Sequence, residues 1–174
     1  MSDAQELAAR ALKHFNEGTT DQAPSQMQIP VTAYTDEAQF QAERQAVFFE
    51  SPIAVALSLE IPKPGDFLTQ TIMGKPLLLT RDKDGVLHCF LNVCRHRGAK
   101  VCAAERGRQS RFSCPYHAWT YSNKGALIGV YGEDSFGEVD RANMGLAELP
   151  CAERSGVIFA CLTPGEPLDL DHWL

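Results

Sequence analysis

The chain has no apolar stretch long enough to cross a bilayer. Its longest nearly apolar run, residues 53–59, is interrupted by Ser58 and falls far short of the roughly 20 residues a spanning helix needs. It also lacks a surplus of positive charge. Sixteen Lys and Arg against 22 Asp and Glu give a formal net charge of −6, which disfavours general nucleic-acid binding because phosphate contacts need excess cations. Residues 1–6 are polar and acidic, so they do not read as a secretory signal and a cytoplasmic location is expected. No Walker loop, dinucleotide-binding glycine fingerprint or Ser-His-Asp arrangement is legible, and no internal repeat or low-complexity tract appears. The remainder is ordinary: 174 residues, 44% hydrophobic and 22% charged, as in a soluble globular domain with an appendage. Against this background the six cysteines and five histidines matter by their positions.

Apolar periodicity divides the chain. Leu7, Ala8, Ala11, Leu12 and Phe15 recur at three- and four-residue intervals, which predicts a helix over residues 2–17 ending at Gly18. Residues 19–30, rich in Thr, Gln, Ser and Pro, read as a linker. A second helix is expected over residues 36–48, capped by Thr35, favoured by Asp36 and Glu37 at its positive end, with Phe40 and Val47 on one face. These first 50 residues carry too few apolar side chains for a core and read as a helical arm. From Val55 onward the pattern is of strands. Runs at residues 77–80 and 86–93 flank the turn Asp82-Lys83-Asp84-Gly85, a hairpin signal. Short strands are expected at residues 110–113, 119–122 and 157–162, with tight turns at Asn123-Lys124-Gly125 and Arg154-Ser155-Gly156. Many short strands between Gly and Pro turns imply an antiparallel sandwich or small barrel.

Two segments carry the chemistry. Cys94-Arg95-His96-Arg97-Gly98 and Cys114-Pro115-Tyr116-His117-Ala118-Trp119 each offer one thiolate and one imidazole, with 17 residues between His96 and Cys114. If the two tips meet, they present two cysteines and two histidines to one site. A tetrahedral zinc takes such a set; so does a [2Fe–2S] cluster with two thiolates on one iron and two imidazoles on the other. Cys-x-His leaves one residue between ligands, fewer than typical zinc pairs. A wider two-iron cluster suits loops that each serve both irons, with Cys94 and Cys114 on one iron and His96 and His117 on the other.

The segment from Asn92 to Gly98, followed by Cys114 to Tyr121, resembles the Rieske domain of aromatic-ring-hydroxylating oxygenase large subunits. Pro64-Gly65-Asp66-Phe67 and the run from Arg81 to Gly85 are also similar to that family, and the resemblance covers roughly residues 35–165. It implies a mainly β fold, a Rieske-type antiparallel β-sandwich with a small cluster-binding subdomain, preceded by one or two N-terminal helices. It implies a Rieske domain at residues 51–165 after an arm at residues 1–50, with residues 166–174 opening a further region. The implied cofactor is a [2Fe–2S] cluster held by Cys94, His96, Cys114 and His117. The implied partners are an acidic ferredoxin or reductase as donor and further copies of the full subunit, without nucleic acid or membrane. Ala118 stands where the family usually has Gly, so its methyl group is expected to crowd the second loop. Tyr116 and Trp119 stand where respiratory Rieske proteins have a disulfide cysteine and a hydroxyl, and both absences argue for a low potential.

Oxygenases of this family activate dioxygen at a mononuclear iron held by two histidines and a carboxylate. Beyond His117 the chain has only His172, and Asp169-Leu170-Asp171-His172 gives half of such a pattern. The expectation is a chain that stores and passes electrons, as the N-terminal portion of a larger subunit, a truncated product or a stand-alone Rieske ferredoxin; the 50-residue arm favours the subunit. Mononuclear Fe(II) is expected only in a catalytic domain outside these residues. Cys89 and Cys161 read as core residues, Cys102 as a neighbour of the first loop, His88 as a strand residue and His14 as solvated. Between Cys94 and His117, Arg95, Arg97, Lys100, Arg106, Arg108 and Arg111 are opposed only by Glu105. That window carries +5 and the remainder −11, a collar suited to an acidic redox partner or to salt bridges within a subunit.

Overall fold

The structure is a computed structural model describing residues 3–174. The chain divides into two compact units, the first ending at Asp36 and the second running from Glu37 to Leu174.

The first unit contains α1 (Asp3–Glu17) and α2 (Thr32–Thr35). The expected start of the first helix at residue 2 lies outside the described residues. Gly18 ends α1 at φ +60°, and the amide of Thr19 donates to the His14 carbonyl at 3.0 Å. His14 is not simply solvated. Its Nδ1 lies 2.9 Å from Thr19 Oγ1 and its Nε2 2.9 Å from Asp21 Oδ1, and Arg10 also pairs with Asp21. The chain reversal after Gly18 brings these side chains back to the last turns of the helix.

The second unit opens with α3 (Glu37–Glu43), which continues as one widened turn over Arg44–Phe49. The helix expected over residues 36–48 therefore begins at Glu37 and widens from Arg44 onward. Asp36 is extended at φ −77° and ψ 118°, so Thr35 ends α2 instead of capping α3, and its hydroxyl donates back to the Val31 carbonyl at 3.4 Å. In the widened turn the Glu50 amide donates to the Gln45 carbonyl five residues earlier, at 3.1 Å. Phe49 packs on the core and its carbonyl accepts the Cys161 thiol at 3.1 Å, whereas Phe40 and Val47 stay half exposed.

Eleven strands follow: β1 (Ile53–Leu57), β2 (Asp66–Ile72), β3 (Lys75–Arg81), β4 (Leu87–Leu91), β5 (Arg106–Arg108), β6 (Arg111–Ser113), β7 (Thr120–Ser122), β8 (Leu127–Gly129), β9 (Glu148–Leu149), β10 (Cys151–Arg154) and β11 (Val157–Ala160). A short helix α4 (Leu170–Trp173) ends the chain. The strands form three open antiparallel sheets, ordered β1-β11-β10, β5-β2-β3-β4-β9 and β6-β7-β8. The five-stranded sheet is buried on both faces. Side chains alternate across a strand, so Leu77, Leu79, Cys89 and Leu68 enter one core with Ile158 and Val55 of the β1-β11-β10 sheet. Leu78, Phe90 and Phe67 enter the other with Phe112, Tyr121 and Leu127 of the β6-β7-β8 sheet. Burial on both faces explains why Leu77, Leu78 and Leu79 run consecutively instead of alternating with polar residues.

Side chains tie these layers together. Arg81 reaches Glu153 on β10. The Gln70 side-chain amide donates to the carbonyl of Val55, where the β1–β11 register shifts. On the other face Thr80 donates to the Asn123 carbonyl at 2.6 Å and the Asn123 side chain donates to the Arg81 carbonyl at 3.1 Å. Gly125 completes that turn at φ +79°, and a Cβ there would lie 2.4 Å from the Phe90 ring; no other residue fits the turn this close to the sheet.

Asp82, fully buried, organises the β3–β4 turn. Its Oδ1 accepts the amides of Asp84 at 2.8 Å and Val86 at 2.9 Å, and its Oδ2 meets Lys124 Nζ at 2.8 Å. The Lys124 ammonium, then the Val86 and Asp84 amides and His88, hold the carboxyl well below its ordinary value although burial opposes them. A depressed carboxyl stabilises the fold above its unfolded-state pKa, and that contribution disappears as pH falls through the folded value. Asp82→Asn should cost about 1–3 kcal/mol near neutrality by leaving buried donors poorly matched. Thermal unfolding as a function of pH checks this: the gap between wild type and variant should hold above about pH 5 and shrink below about pH 4. A gap independent of pH would sink the electrostatic account.

Candidate metal centre

The two motif segments form matching loops. In the first, the Cys94 amide donates to the Ala99 carbonyl at 2.8 Å and the Gly98 amide to the Cys94 carbonyl at 2.9 Å. In the second, the Cys114 amide donates to the Trp119 carbonyl at 2.8 Å and the Ala118 amide to the Cys114 carbonyl at 3.0 Å. Each loop therefore closes four and five residues after its cysteine, and each needs a left-handed residue at the fourth position. Gly98 meets this at φ +73° and Ala118 at φ +54°. The consequence of alanine is thus backbone strain rather than the crowding expected from the sequence, since Ala118 is exposed.

The tips meet. The His96 and His117 rings approach to 4.6 Å between centroids at 68°. Cys94 and Cys114 are both 3% exposed and join one core cluster, while the two histidines are partly exposed. The thiols therefore face the interior and the imidazoles the rim. Burial, with His117 and Arg97 nearby, holds the His96 imidazole below its ordinary value, which favours the neutral form a metal ligand needs.

Two buried side chains fix the loops. Asn92 is fully buried; its Oδ1 accepts the amides of Val101 at 3.2 Å and Cys102 at 2.9 Å, and its Nδ2 donates to the Cys102 carbonyl at 2.8 Å. It clamps the two ends of the first loop together, and Cys102 contributes its backbone here. Tyr121 follows the second loop but grips the first. Its hydroxyl accepts the Arg95 amide at 3.0 Å and lies within hydrogen-bond reach of Cys94 Sγ at 3.3 Å. Burial, then the Cys94 hydrogen bond, pushes the phenol well above its ordinary value and keeps it protonated.

This donor set fits a two-iron cluster. A two-iron cluster asks each iron to take only two protein ligands. The amides of His96, Arg97, Tyr116 and His117 donate to no protein acceptor among the described residues. The buried Nε1 of Trp119 likewise has no partner.

Residues 51–142 match the Rieske [2Fe–2S] domain. The chain belongs to that family. A Rieske domain binds a [2Fe–2S] cluster, so this is the cofactor class of the fold. Over 139 residues the chain is 34% identical to the glycine betaine monooxygenase oxygenase subunit of Pseudomonas aeruginosa (strain UCBPP-PA14), covering 80% of this chain and 32% of that protein. Over 142 residues it is 36% identical to biphenyl 2,3-dioxygenase subunit alpha of Rhodococcus jostii (strain RHA1), covering 81% and 31%. The crystal structure of naphthalene 1,2-dioxygenase from Rhodococcus sp. bound to indole superposes with a TM-score of 0.75 at 33% identity, covering 99% of this chain and 38% of that one. A quaternary ammonium Rieske monooxygenase superposes with a TM-score of 0.76 at 31% identity, covering 83% and 40%. The Rieske chain thus spans about a third of the length of the curated relatives it matches. The mainly antiparallel β architecture with preceding helices agrees with the fold expected from the sequence.

The other expected positions resolve simply. Asp169 accepts the Asp171 amide at 3.0 Å as the cap of α4, and Asp171 pairs with Arg154 at 2.6 Å, so this segment is an ordinary helix start. His88 lies on β4 between Glu148 Oε1 at 3.2 Å and Asp82 Oδ2 at 3.5 Å. Cys89 is fully buried and Cys161 nearly so. Among described residues no helix is long and apolar enough to cross a membrane. The loop roles of Asn92 and Tyr121 and the position of Phe136, 5.1 Å from the His96 ring, were not legible from motif spacing.

Relieving the αL strain of alanine, about 1–2 kcal/mol, outweighs the roughly 0.4–1 kcal/mol lost to glycine's freer unfolded state. Ala118→Gly should therefore stabilise the domain by about 0.5–1 kcal/mol, read as a melting temperature raised by about 2 °C. A lowered melting temperature would mean that the methyl group packs favourably.

Proposed function

We propose that this chain is the Rieske electron-transfer portion of a ring-hydroxylating oxygenase terminal component, a cytoplasmic protein that assembles with further copies of its full subunit. Cys94 and Cys114 ligate one iron and His96 and His117 the other. Residues 51–165 carry the cluster and residues 1–50 form the arm before it. Electrons arrive from a ferredoxin or reductase and leave for a mononuclear iron held outside residues 3–174. The observation that carries this reading is the 4.6 Å approach of two partly exposed imidazoles beside two buried thiols.

When bound, the cluster supplies a one-electron store whose potential depends on hydrogen bonds and exposure. Cys94 and Cys114 give it thiolates from the interior. His96 and His117 would supply imidazoles from the partly exposed rim. With Cys94 as a thiolate ligand, the Tyr121 hydroxyl 3.3 Å from its Sγ would donate to the sulfur and withdraw charge from it. The iron-loaded protein should be reddish brown, bleach with dithionite and then show a rhombic low-temperature electron paramagnetic resonance (EPR) signal. Cys94→Ser or His117→Ala should abolish that signal, because loop closure and metal binding are coupled. A colourless, zinc-loaded protein would overturn the assignment.

The basic collar separates into two groups. Arg106 lies 3.6 Å from Glu60 and 3.7 Å from Glu105, and Arg108 donates to the Pro64 carbonyl at 3.1 Å. Arg95, Arg97, Lys100 and Arg111 are exposed and enter no ion pair among the described residues, and the first three stand on the first loop. They flank the His96 rim, so they are the stronger candidates to meet an acidic donor. Reversing Arg97 and Lys100 to Glu should slow reduction by an acidic ferredoxin about tenfold at low ionic strength and flatten its salt dependence. The same reversal at Arg106 and Arg108 should do less. Stopped-flow rates that ignore Arg97 and Lys100 would remove this docking surface.

A further inference from the structure

The two imidazoles, both partly exposed, differ in the rings packed against them. His117 meets the ring of Tyr116 at 3.7 Å between centroids, and Tyr116 is itself 60% exposed. His96 lies under three rings: Trp119 stacks on it at 5.0 Å and 9°, His117 meets it at 68°, and Phe136 approaches edge-on at 5.1 Å and 83°. Trp119 is a buried member of the core, whereas Phe136 belongs to no strand and no core cluster and keeps 37% of its surface exposed, its inner edge alone meeting the two rings. Phe136 sits in a strap between Gly132 at φ +67° and Gly137 at φ +69°. The hydrogen bonds of this strap are local: Ser135 to the Gly132 carbonyl at 2.9 Å, Phe136 to the Glu133 carbonyl at 2.8 Å, and Arg141 to Glu133 at its base. The strap is otherwise acidic, with Glu133, Asp134, Glu138 and Asp140. An aromatic ring in so polar a segment has no local reason to fold inward, yet it packs on both His96 and Trp119, the latter at 6.0 Å.

We propose that Phe136 is a positioning residue, the apolar face of a glycine-hinged strap that seals the His96 side of the cluster from water and leaves His117 as the open imidazole. The inference rests on the cluster reading above. A water column beside His96 would hydrate one side of the cluster and give small oxidants a second approach. The Phe136 ring removes that space, and the two glycines let the strap turn it inward without a Cβ at either left-handed position.

The test uses the iron-loaded protein, reduced with dithionite in D2O and read by pulsed EPR for deuterons near the cluster, with iron release to a chelator as a second readout. Phe136→Ala should deepen the deuterium modulation about twofold as water enters the vacated space and speed iron release, while Phe136→Leu should restore both. Tyr131→Ala, at a residue 80% exposed, should match wild type. If Phe136→Ala does not hold its cluster, Gly132→Ala reads the same property. A Cβ there has nothing within 4 Å, so it perturbs only the hinge, and it should also deepen the modulation. An unchanged deuterium signal in a cluster-bearing Phe136→Ala, or in Gly132→Ala where that substitutes for it, would overturn the seal. Absence of any EPR signal in the wild-type protein would instead overturn the cluster reading, a separate outcome.

Discussion

One phenolic hydroxyl joins the two loops on which the centre depends. Tyr121 belongs to β7, which leaves the second loop, and its oxygen holds the amide of Arg95 and the sulfur of Cys94 in the first. Neither loop contains regular structure, and each is closed by only two backbone hydrogen bonds from its own residues. Left alone, such loops would sample many separations. A fully buried tyrosine between them converts two independent hairpin tips into one site. Its hydrogen bond runs through low-dielectric surroundings, where an unsatisfied partner is costly, so the loops approach as a unit. Asn92 performs the complementary task within the first loop, tying its entry to its exit at Val101 and Cys102.

This arrangement needs a rigid floor, and the two-faced central sheet supplies it. β3 and β4 direct alternate side chains into separate cores. The core shared with β1, β10 and β11 contains none of the four candidate ligands, whereas the core shared with β6, β7 and β8 contains both candidate cysteines. Packing on the first face therefore sets the sheet without reference to a metal. Packing on the second face is completed by the loops themselves. Asp82 and Lys124 join the turns at the edge of this second layer, and the Thr80 and Asn123 hydrogen bonds hold the β7–β8 turn against β3. Tyr121 inherits its position from that attachment.

What the sequence made legible follows from the range of each interaction. Cys94, His96, Cys114 and His117 stand out as candidate ligands because residue type and loop spacing are local signals. The β3–β4 hairpin could be read because its turn chemistry is local too. Asn92 and Tyr121 stood in the recognisable segments, but their roles depend on partners as far as 27 positions away. Phe136 offered a weaker signal, a lone aromatic between glycines in an acidic stretch, whose meaning comes only from His96 lying beneath it. The second helix misled because propensity and capping favour continuity over residues 36–48, whereas Phe49 must reach a core assembled from distant strands. Tertiary packing of that one ring accompanies the widened turn.

Charge shows the same dependence on context. The +5 window between Cys94 and His117 looks uniform in the sequence, but its cations do different physical work. Arg106 lies beside carboxylates, and Arg108 folds over Gly65 to the Pro64 carbonyl. These interactions restrain the edge strand β5 and partly neutralise its field. Arg95, Arg97 and Lys100 project from the first loop, where Gly98 and Asn92 fix the backbone while leaving the side chains in water. Their positive potential is therefore concentrated at the histidine rim. Cations held there raise the local positive potential without making a direct bond to the imidazoles. That local concentration of charge is a property that the net charge of −6 conceals.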